Sequence, residues 1–192
     1  GFAAASDVVV RMQPRIQVGE AERAFNIAVG TESNGRQFAA NGQPLTSPKG
    51  AIGIAQVMPD TAPEAAKLAG LPWDENRYKN DPDYNKALGM AYFQKQLQDN
   101  GADLAKAYAA YNAGPARLVD AIKTAEAANR NPKNETPKTW LDFVPQETKD
   151  YVVKNMREFE AGRGQPPRPT FQEIDEQLRA DPRLAANPER YK

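Results

Sequence analysis

The chain of 192 residues suits one compact domain with some tail, and its 25 Lys plus Arg balance its 25 Asp plus Glu, so no net field draws in nucleic acid. It has no Cys and no His, which excludes disulfides, thiolate nucleophiles and His-based general bases or metal sites. No apolar run approaches the ~20 residues of a membrane-spanning helix, and any chemistry falls to carboxylate, Lys, Tyr, Ser or Thr side chains. The first residue is Gly1 rather than Met, which leaves open processing, excision from a longer protein, and a signal peptide upstream.

No stretch shows the period-2 alternation of a strand, whereas helical spacing recurs, so the expected fold class is all-α. A short helix is predicted over Ser6 to Met12, ending near Pro14. A second runs from about Val18 to Thr31. Its apolar face, Ala21, Phe25 and Ala28, continues to Glu32 in steps of three and four. Glu32 therefore falls on the core-facing stripe at the helix C-terminal end. Residues 33 to 50 read as a loop punctuated by Gly35, Gly42, Pro44, Pro48 and Gly50. A helix is expected over Ile52 to Met58, stopped by Pro59. Thr61 opens another, with Glu64 as the partner of a capping box, and Gly70 ends it.

"LPWDENRYKNDP" reads as a connection. Asp83 to about Asn100 is a long amphipathic helix with Tyr84, Leu88, Ala91 or Tyr92, and Leu97 inward. Asp103 to Tyr111 and Pro115 to about Ala128 are the next two, separated by "NAGP", with Pro115 suited to a first turn. "NRNPKNETPKT" is polar and loop-like. Pro145 to Ala161 is the last strong helix, with Val152, Met156 and Phe159 inward. "GRGQPPRP" then has linker composition, and "TFQEIDEQL" is a short helix with a capping box at Thr170 and Glu173. The expected division is a catalytic domain over 1–162 and a Pro/Gly linker with a short helical tail over 163–192.

Three features carry candidate chemistry. A carboxyl held in an apolar helix face has its charged form disfavoured, which makes Glu32 a candidate proton donor near neutral pH. Breaking a glycosidic bond needs such a donor, although most glycosidases add a second carboxylate. Neither Glu22, early on the same helix, nor Asp60, beyond the loop, is a compelling partner on spacing. The plainer alternative is that Glu32 is a solvent-exposed helix-end residue. In "GAIGIAQVMP", Gln56 and Met58 lie two apart, so on a helix one lines a cleft while the other packs. The alternative is a small-residue helix packed on a neighbour. In "AYAAYNAGP", Tyr108 and Tyr111 share a face and Asn112 precedes the helix-ending Gly114. The alternative there is an aromatic stripe in the core.

"ES" at Glu32-Ser33, "SPKGAIGIAQVMPDTA" at 47–62, "AYNAG" at 110–114 and "PQETKDYVVKNM" at 145–156 come in the order of the soluble lytic transglycosylase family. The resemblance covers about Val18 to Met156. It implies a goose-lysozyme-like helical fold and cleavage of the MurNAc–GlcNAc β-1,4 bond of peptidoglycan, leaving a 1,6-anhydro ring. The partner it implies is the glycan strand with its stem peptides; with no His or Cys in the chain, no metal and no cofactor are expected. Glu32 matches the catalytic acid/base, and Ser33 the serine beside it near the substrate. Gln56 and Met58 match groove-lining residues. Tyr111 matches the tyrosine near the catalytic carboxyl, with Asn112 beside it. Glu147 matches a glutamate associated with the peptide stem, and Tyr151 a tyrosine of the same wall.

This sequence departs from the family at two places. Ala55 stands where Met is usual, which would open that wall of the groove, and the loop between Ser33 and Ser47 is longer than usual. "NGQPLT" and "GIAQVMP" resemble the versions carried in phage virions, often within larger proteins. That implies action in the host periplasm; the alternative is a bacterial periplasmic enzyme. Two rivals stay open: a goose-type lysozyme hydrolysing with water, and an inactive peptidoglycan-binding virion module. Nucleic-acid binding lacks a basic patch interleaved with aromatics, and a carboxylate-only metal site lacks the spacing of a calcium loop.

Overall fold

The computed structural model describes Val9, residues 14–163 and residues 171–185. A short 3-10 helix, Val18–Glu20, leads into helix α1, Ala21–Ser33. Alanines at every core-facing turn let α1 sit close to its neighbours: Ala24 and Ala28 are fully buried, and Phe25 almost so. Asn34 ends the helix in the left-handed conformation (φ 57°), and its N–H donates to Gly30 O at 3.0 Å. A short polar side chain tolerates that conformation, so Asn does here what glycine usually does.

Helices α2 (Ala62–Leu68), α3 (Glu75–Asn80), α4 (Pro82–Asp99), α5 (Leu104–Ala113), α6 (Pro115–Arg130) and α7 (Gln146–Ala161) follow. A second 3-10 turn, Trp140–Phe143, packs on α6. Aspartates start three of these helices by accepting backbone N–H groups: Asp74 for α3, Asp81 for α4 and Asp103 for α5. α5 is buried against α4, α6 and α7, and α1 lies against α4 and α7. Phe25, Phe93 and Tyr108 fill the space where these helices meet, their rings in tilted contact. Among the described residues there is no named strand, only isolated antiparallel bridges in loops and turns.

The chain falls into two compact units, Gly1–Ala161 and Gly162–Lys192. In the second, α8 (Phe171–Ala180) and α9 (Pro182–Ala185) are described, and every residue of α8 is exposed. The expected helix over Ser6 to Met12 lies outside the described residues, except that Val9 is helical and buried. The expected Thr170 cap lies outside them as well.

Three expectations fail. Residues 52–58 are not helical. Gly53 (φ 81°) and Gln56 (φ 53°) are both left-handed, and Ile52 N–H donates to Val57 O, so the segment closes as a tight turn. Apolar periodicity over seven residues could not tell this turn from a helix. The "LPWDENRYKNDP" segment contains helix α3, because the Asp74 carboxylate accepts from Arg77 N. The Thr61/Glu64 capping box does not form. Thr61 already has helical dihedrals and enters α2 from a turn, with its N–H on Met58 O.

Candidate active site

Glu32 occupies the last turn of α1, where unpaired helix carbonyls point and negative charge is disfavoured. The residue is half-buried. Burial is the main reason that its pKa is pushed up from an ordinary 4.5 to about 7; hydrogen bonding by Tyr151 and Asn112 works against this, and the nearby Glu147 carboxylate adds to it. A carboxylic acid half-protonated near neutrality can both give and take a proton there.

The groups around Glu32 are held by their own partners. Thr148 Oγ1 donates to Asn112 Oδ1 at 2.8 Å, which turns the Asn112 amide so that its NH₂ faces the acid. Tyr151 is buried, and its hydroxyl completes no hydrogen bond of ordinary length and angle within the protein. Its phenol nonetheless reaches Glu32 closely enough to lower the acid's pKa. Tyr111 donates to Ala55 O at 2.5 Å. Burial, with the Glu32 charge next in size, keeps the phenols of Tyr111 and Tyr151 neutral by raising both pKa values well above normal.

Two depressions flank Glu32. One, of about 480 Å³, is lined by Thr31, Asn34, Arg36, Thr46 and Lys154 among others. The other, of about 380 Å³, carries Met58, Tyr92, Tyr111, Asn112 and Glu147. Glu32, Ser47 and Gln56 line both, so they form the waist of one continuous cleft. That arrangement suits an extended polymer crossing the acid, with a segment of chain on either side.

The turn over residues 52–57 forms the wall opposite α1, and two buried amides hold it. Asn85 Oδ1 accepts from Ala55 N at 2.9 Å, while its Nδ2 donates to Ile52 O and Tyr78 O at 3.0 and 2.9 Å. Gln37 Oε1 accepts from Ile54 N at 2.8 Å, and its Nε2 donates to Lys79 O at 3.0 Å. A Cβ on Gly53 would lie 2.4 Å from Asn85 Nδ2 and 2.6 Å from the Gln37 amide, so only glycine admits both clamps. Gln56 offsets its left-handed backbone, which costs on the order of 1 kcal/mol, by donating Nε2 to Leu45 O and Gly53 O.

Of the residues expected at the site, Glu32, Gln56, Met58, Tyr111, Asn112 and Glu147 line the second depression, and Tyr151 backs it through Glu32. Ser33 is buried, and its hydroxyl donates to backbone carbonyls, Ile54 O at 2.6 Å and Val29 O at 3.1 Å. Its proton is committed to joining α1 to the turn, and the side chain is a strut. Ala55 is fully buried beneath Gly89 and does not open the groove wall. A Cβ on Gly89 would sit 2.4 Å from Ala55 Cβ and 2.9 Å from the Tyr111 hydroxyl. Sequence reading missed Asn85, Gln37 and Thr148. Asn85 carried a usable signal: a polar residue on the inward stripe of an amphipathic helix, the same mark that singled out Glu32.

The pKa of Glu32 sets a testable pair of opposite shifts. Activity that needs the protonated acid falls as pH rises through about 7. Tyr151→Phe removes a hydrogen bond that favours the carboxylate, so the alkaline limb should move to higher pH. Glu147→Gln removes a repelling charge, so the limb should move to lower pH. Rate–pH profiles of both variants check this, and shifts of the same sign would contradict the assignment.

Among the described residues no group of three or more His, Cys, Asp or Glu could hold a metal ion, and no helix is long and apolar enough to cross a membrane. The transglycosylase SLT domain profile matches residues 19–134. The soluble lytic murein transglycosylase of Escherichia coli K12 is 37% identical over 84 residues, which are 43% of this chain and 13% of that protein. Its counterpart in Salmonella typhimurium is 36% identical over 88 residues, again 43% of this chain and 13% of the relative. The crystal structure of the 70 kDa soluble lytic transglycosylase of Escherichia coli aligns with a TM-score of 0.55 at 27% identity, covering 82% of this chain and 24% of that one. The lytic transglycosylase Slt of Pseudomonas aeruginosa aligns with a TM-score of 0.55 over 82% of this chain and 23% of that one; at 23% identity it speaks for the fold alone. The fold is thus the lysozyme-like, all-helical one of these enzymes.

Proposed function

The chain belongs to the transglycosylase SLT family, and from that premise we propose that it is a peptidoglycan lytic transglycosylase. It cleaves the MurNAc–GlcNAc β-1,4 bond without water and leaves 1,6-anhydroMurNAc ends. The observation that carries this reading is a single carboxyl, Glu32, kept half-protonated near neutrality at the waist of a two-lobed cleft.

Glu32 gives its proton to the glycosidic oxygen as the C1–O bond breaks and positive charge develops at C1. The carboxylate so formed then takes the proton of the muramyl C6 hydroxyl, whose oxygen bonds to C1. The acid returns to its starting state, and the sugar supplies its own nucleophile. An intramolecular hydroxyl has a large advantage over bulk water. Asn112, oriented by Thr148, and the neutral phenols of Tyr111 and Tyr151 surround the acid through both proton transfers. Gln56 and Met58 line the walls along which the sugars lie. Ser33 braces α1 against the 52–57 turn and also lines the first lobe, beside the path of the sugars.

One observation favours a second reading. Glu147 shares the second lobe with Glu32 and is near enough to raise its pKa. A second carboxylate beside the groove could activate water, which would make the protein a goose-type muramidase. An inactive binding module finds less support, because Glu32 and its supporting hydrogen bonds are intact.

The virion setting rests on the "NGQPLT" and "GIAQVMP" segments alone. In that setting the domain would open the wall locally from within a larger virion protein, acting in the host periplasm. The relatives named above are bacterial, and the bacterial periplasm is the competing location.

Residues 163–192 are proposed to be dispensable for catalysis, since every cleft residue lies before them. A chain ending at Gly162 should clear peptidoglycan embedded in a gel within about two-fold of the full chain, a change of only ~0.4 kcal/mol in barrier. A ten-fold loss in a truncated protein that still folds would count against the division. Failure of both chains to clear the gel would count against the activity.

A further inference from the structure

We infer that Arg36 and Lys154 form a subsite for the free carboxylates of the peptide stems on the glycan strand, an inference that rests on the peptidoglycan reading above. Arg36 follows α1 in the loop, and Lys154 lies on α7, yet both line the depression on the Ser33 side of the cleft. Both are exposed, and neither side chain makes an ion pair or hydrogen bond among the described residues. Two unpartnered cations brought together from distant parts of the chain need an explanation.

Balancing the catalytic acid does not explain them. The influences on Glu32 are burial, Tyr151, Asn112 and Glu147, and neither Arg36 nor Lys154 is among them. The two lobes also differ in the balance of their charges. Lys49 and Arg117 share the second lobe with Glu147, whereas the only acid lining the first is Glu32 itself, half-protonated near neutrality. Each lobe has two cations, but those of the second are offset by Glu147 as well, so the first lobe is the more cationic end of the cleft.

The substrate carries its negative charge in one place. The sugars of the strand are neutral, and the lactyl carboxyl of each muramic acid is used in the amide bond to its stem peptide. The free carboxylates of the polymer thus hang from the stems, beside the backbone. A strand lying through the waist would bring a stem to the first lobe. There the planar Arg36 guanidinium can take a carboxylate with two parallel N–H donors, and Lys154 supplies a point charge beside it. Binding of this kind is exposed, so it weakens as salt rises.

The test is calorimetric titration of the Glu32→Gln protein, which cannot consume its ligand. Three soluble oligosaccharides are compared: one bearing stems with free carboxylates, one whose stem carboxylates are converted to amides, and one stripped of stems. The carboxylate form should bind about 3- to 20-fold more tightly than the amide form at low salt, as two exposed ion pairs allow. Adding Arg36→Gln with Lys154→Gln should erase that difference, and each single substitution should remove part of it. Both sites are exposed, so the fold should survive, and circular dichroism checks this. Equal affinity for the carboxylate and amide forms, or full discrimination kept by the double variant, overturns the subsite while leaving the peptidoglycan reading standing. Binding of none of the three overturns the peptidoglycan reading, and the subsite with it.

Discussion

Glu32→Gln is expected to abolish peptidoglycan cleavage while leaving the fold and binding to sacculi intact. Gln is nearly isosteric with protonated Glu, so the packing at the end of α1 is preserved. It can neither release nor accept the proton. Loss of a general acid typically costs ~10²–10⁴-fold in rate. Here the same group serves both proton transfers, so the loss should reach the upper end of that range or exceed it.

The same substitution carries a stability signature of known sign. Below pH 4.5 the acid is protonated in both folded and unfolded chains, and it contributes nothing to the pH dependence. Between 4.5 and about 7 the unfolded chain releases the proton while the folded chain keeps it, so stability falls as pH rises. Above about 7 the penalty is complete, up to about 3 kcal/mol. The Gln variant never incurs it. Its melting temperature should therefore exceed that of the natural protein at pH 8 and match it near pH 4. Near-normal clearing of a cell-wall suspension by the variant would remove Glu32 from the catalytic role.

Asn85→Leu should be the most destabilising single change near the site. Leu fills a similar volume on α4, so little cavity forms. It leaves Ala55 N and Ile52 O without the Asn85 amide, while Tyr78 O keeps only the longer bond from Gln37 Nε2 at 3.3 Å. Each unsatisfied buried group costs ~1–3 kcal/mol, which sums to several kcal/mol if the turn cannot relax. The turn also carries the Ala55 carbonyl that anchors Tyr111, so surviving folded protein should lose activity. Denaturant unfolding measures the first effect and cell-wall clearing the second. A variant of normal stability and normal rate would show that the 52–57 wall does not depend on this amide.

Much of this arrangement was legible in the chain, and the failures have a common cause. The spacing Ala21, Phe25, Ala28, Glu32 placed the acid on an inward stripe, because a helix repeats its environment every three to four residues. The long helices α4, α6 and α7 declared themselves through the same periodicity, and α6 also through Pro115 at its start; Asp81 and Pro82, which open α4, were read as the end of the preceding connection. The 52–57 turn did not. Its conformation is set by hydrogen bonds from Gln37 and Asn85, which lie far along the chain from it, and no local pattern encodes such partners. Ser33 was identified only through family resemblance, and no local pattern shows that its hydroxyl bonds a carbonyl 21 residues away. Glu147 was identified only through family resemblance, since its proximity to Glu32 is created by the packing of α7 on α1 and α5.

The central claim is that the substrate's own hydroxyl, and not water, attacks C1. Mass spectrometry of the fragments released from purified sacculi in H₂¹⁸O with EDTA present tests this most directly. The expected products carry 1,6-anhydro muramyl ends with no ¹⁸O at C1, formed at the same rate with and without the chelator. Reducing ends labelled with ¹⁸O would contradict it: water would then be the nucleophile, with Glu147 the first candidate for the base that activates it.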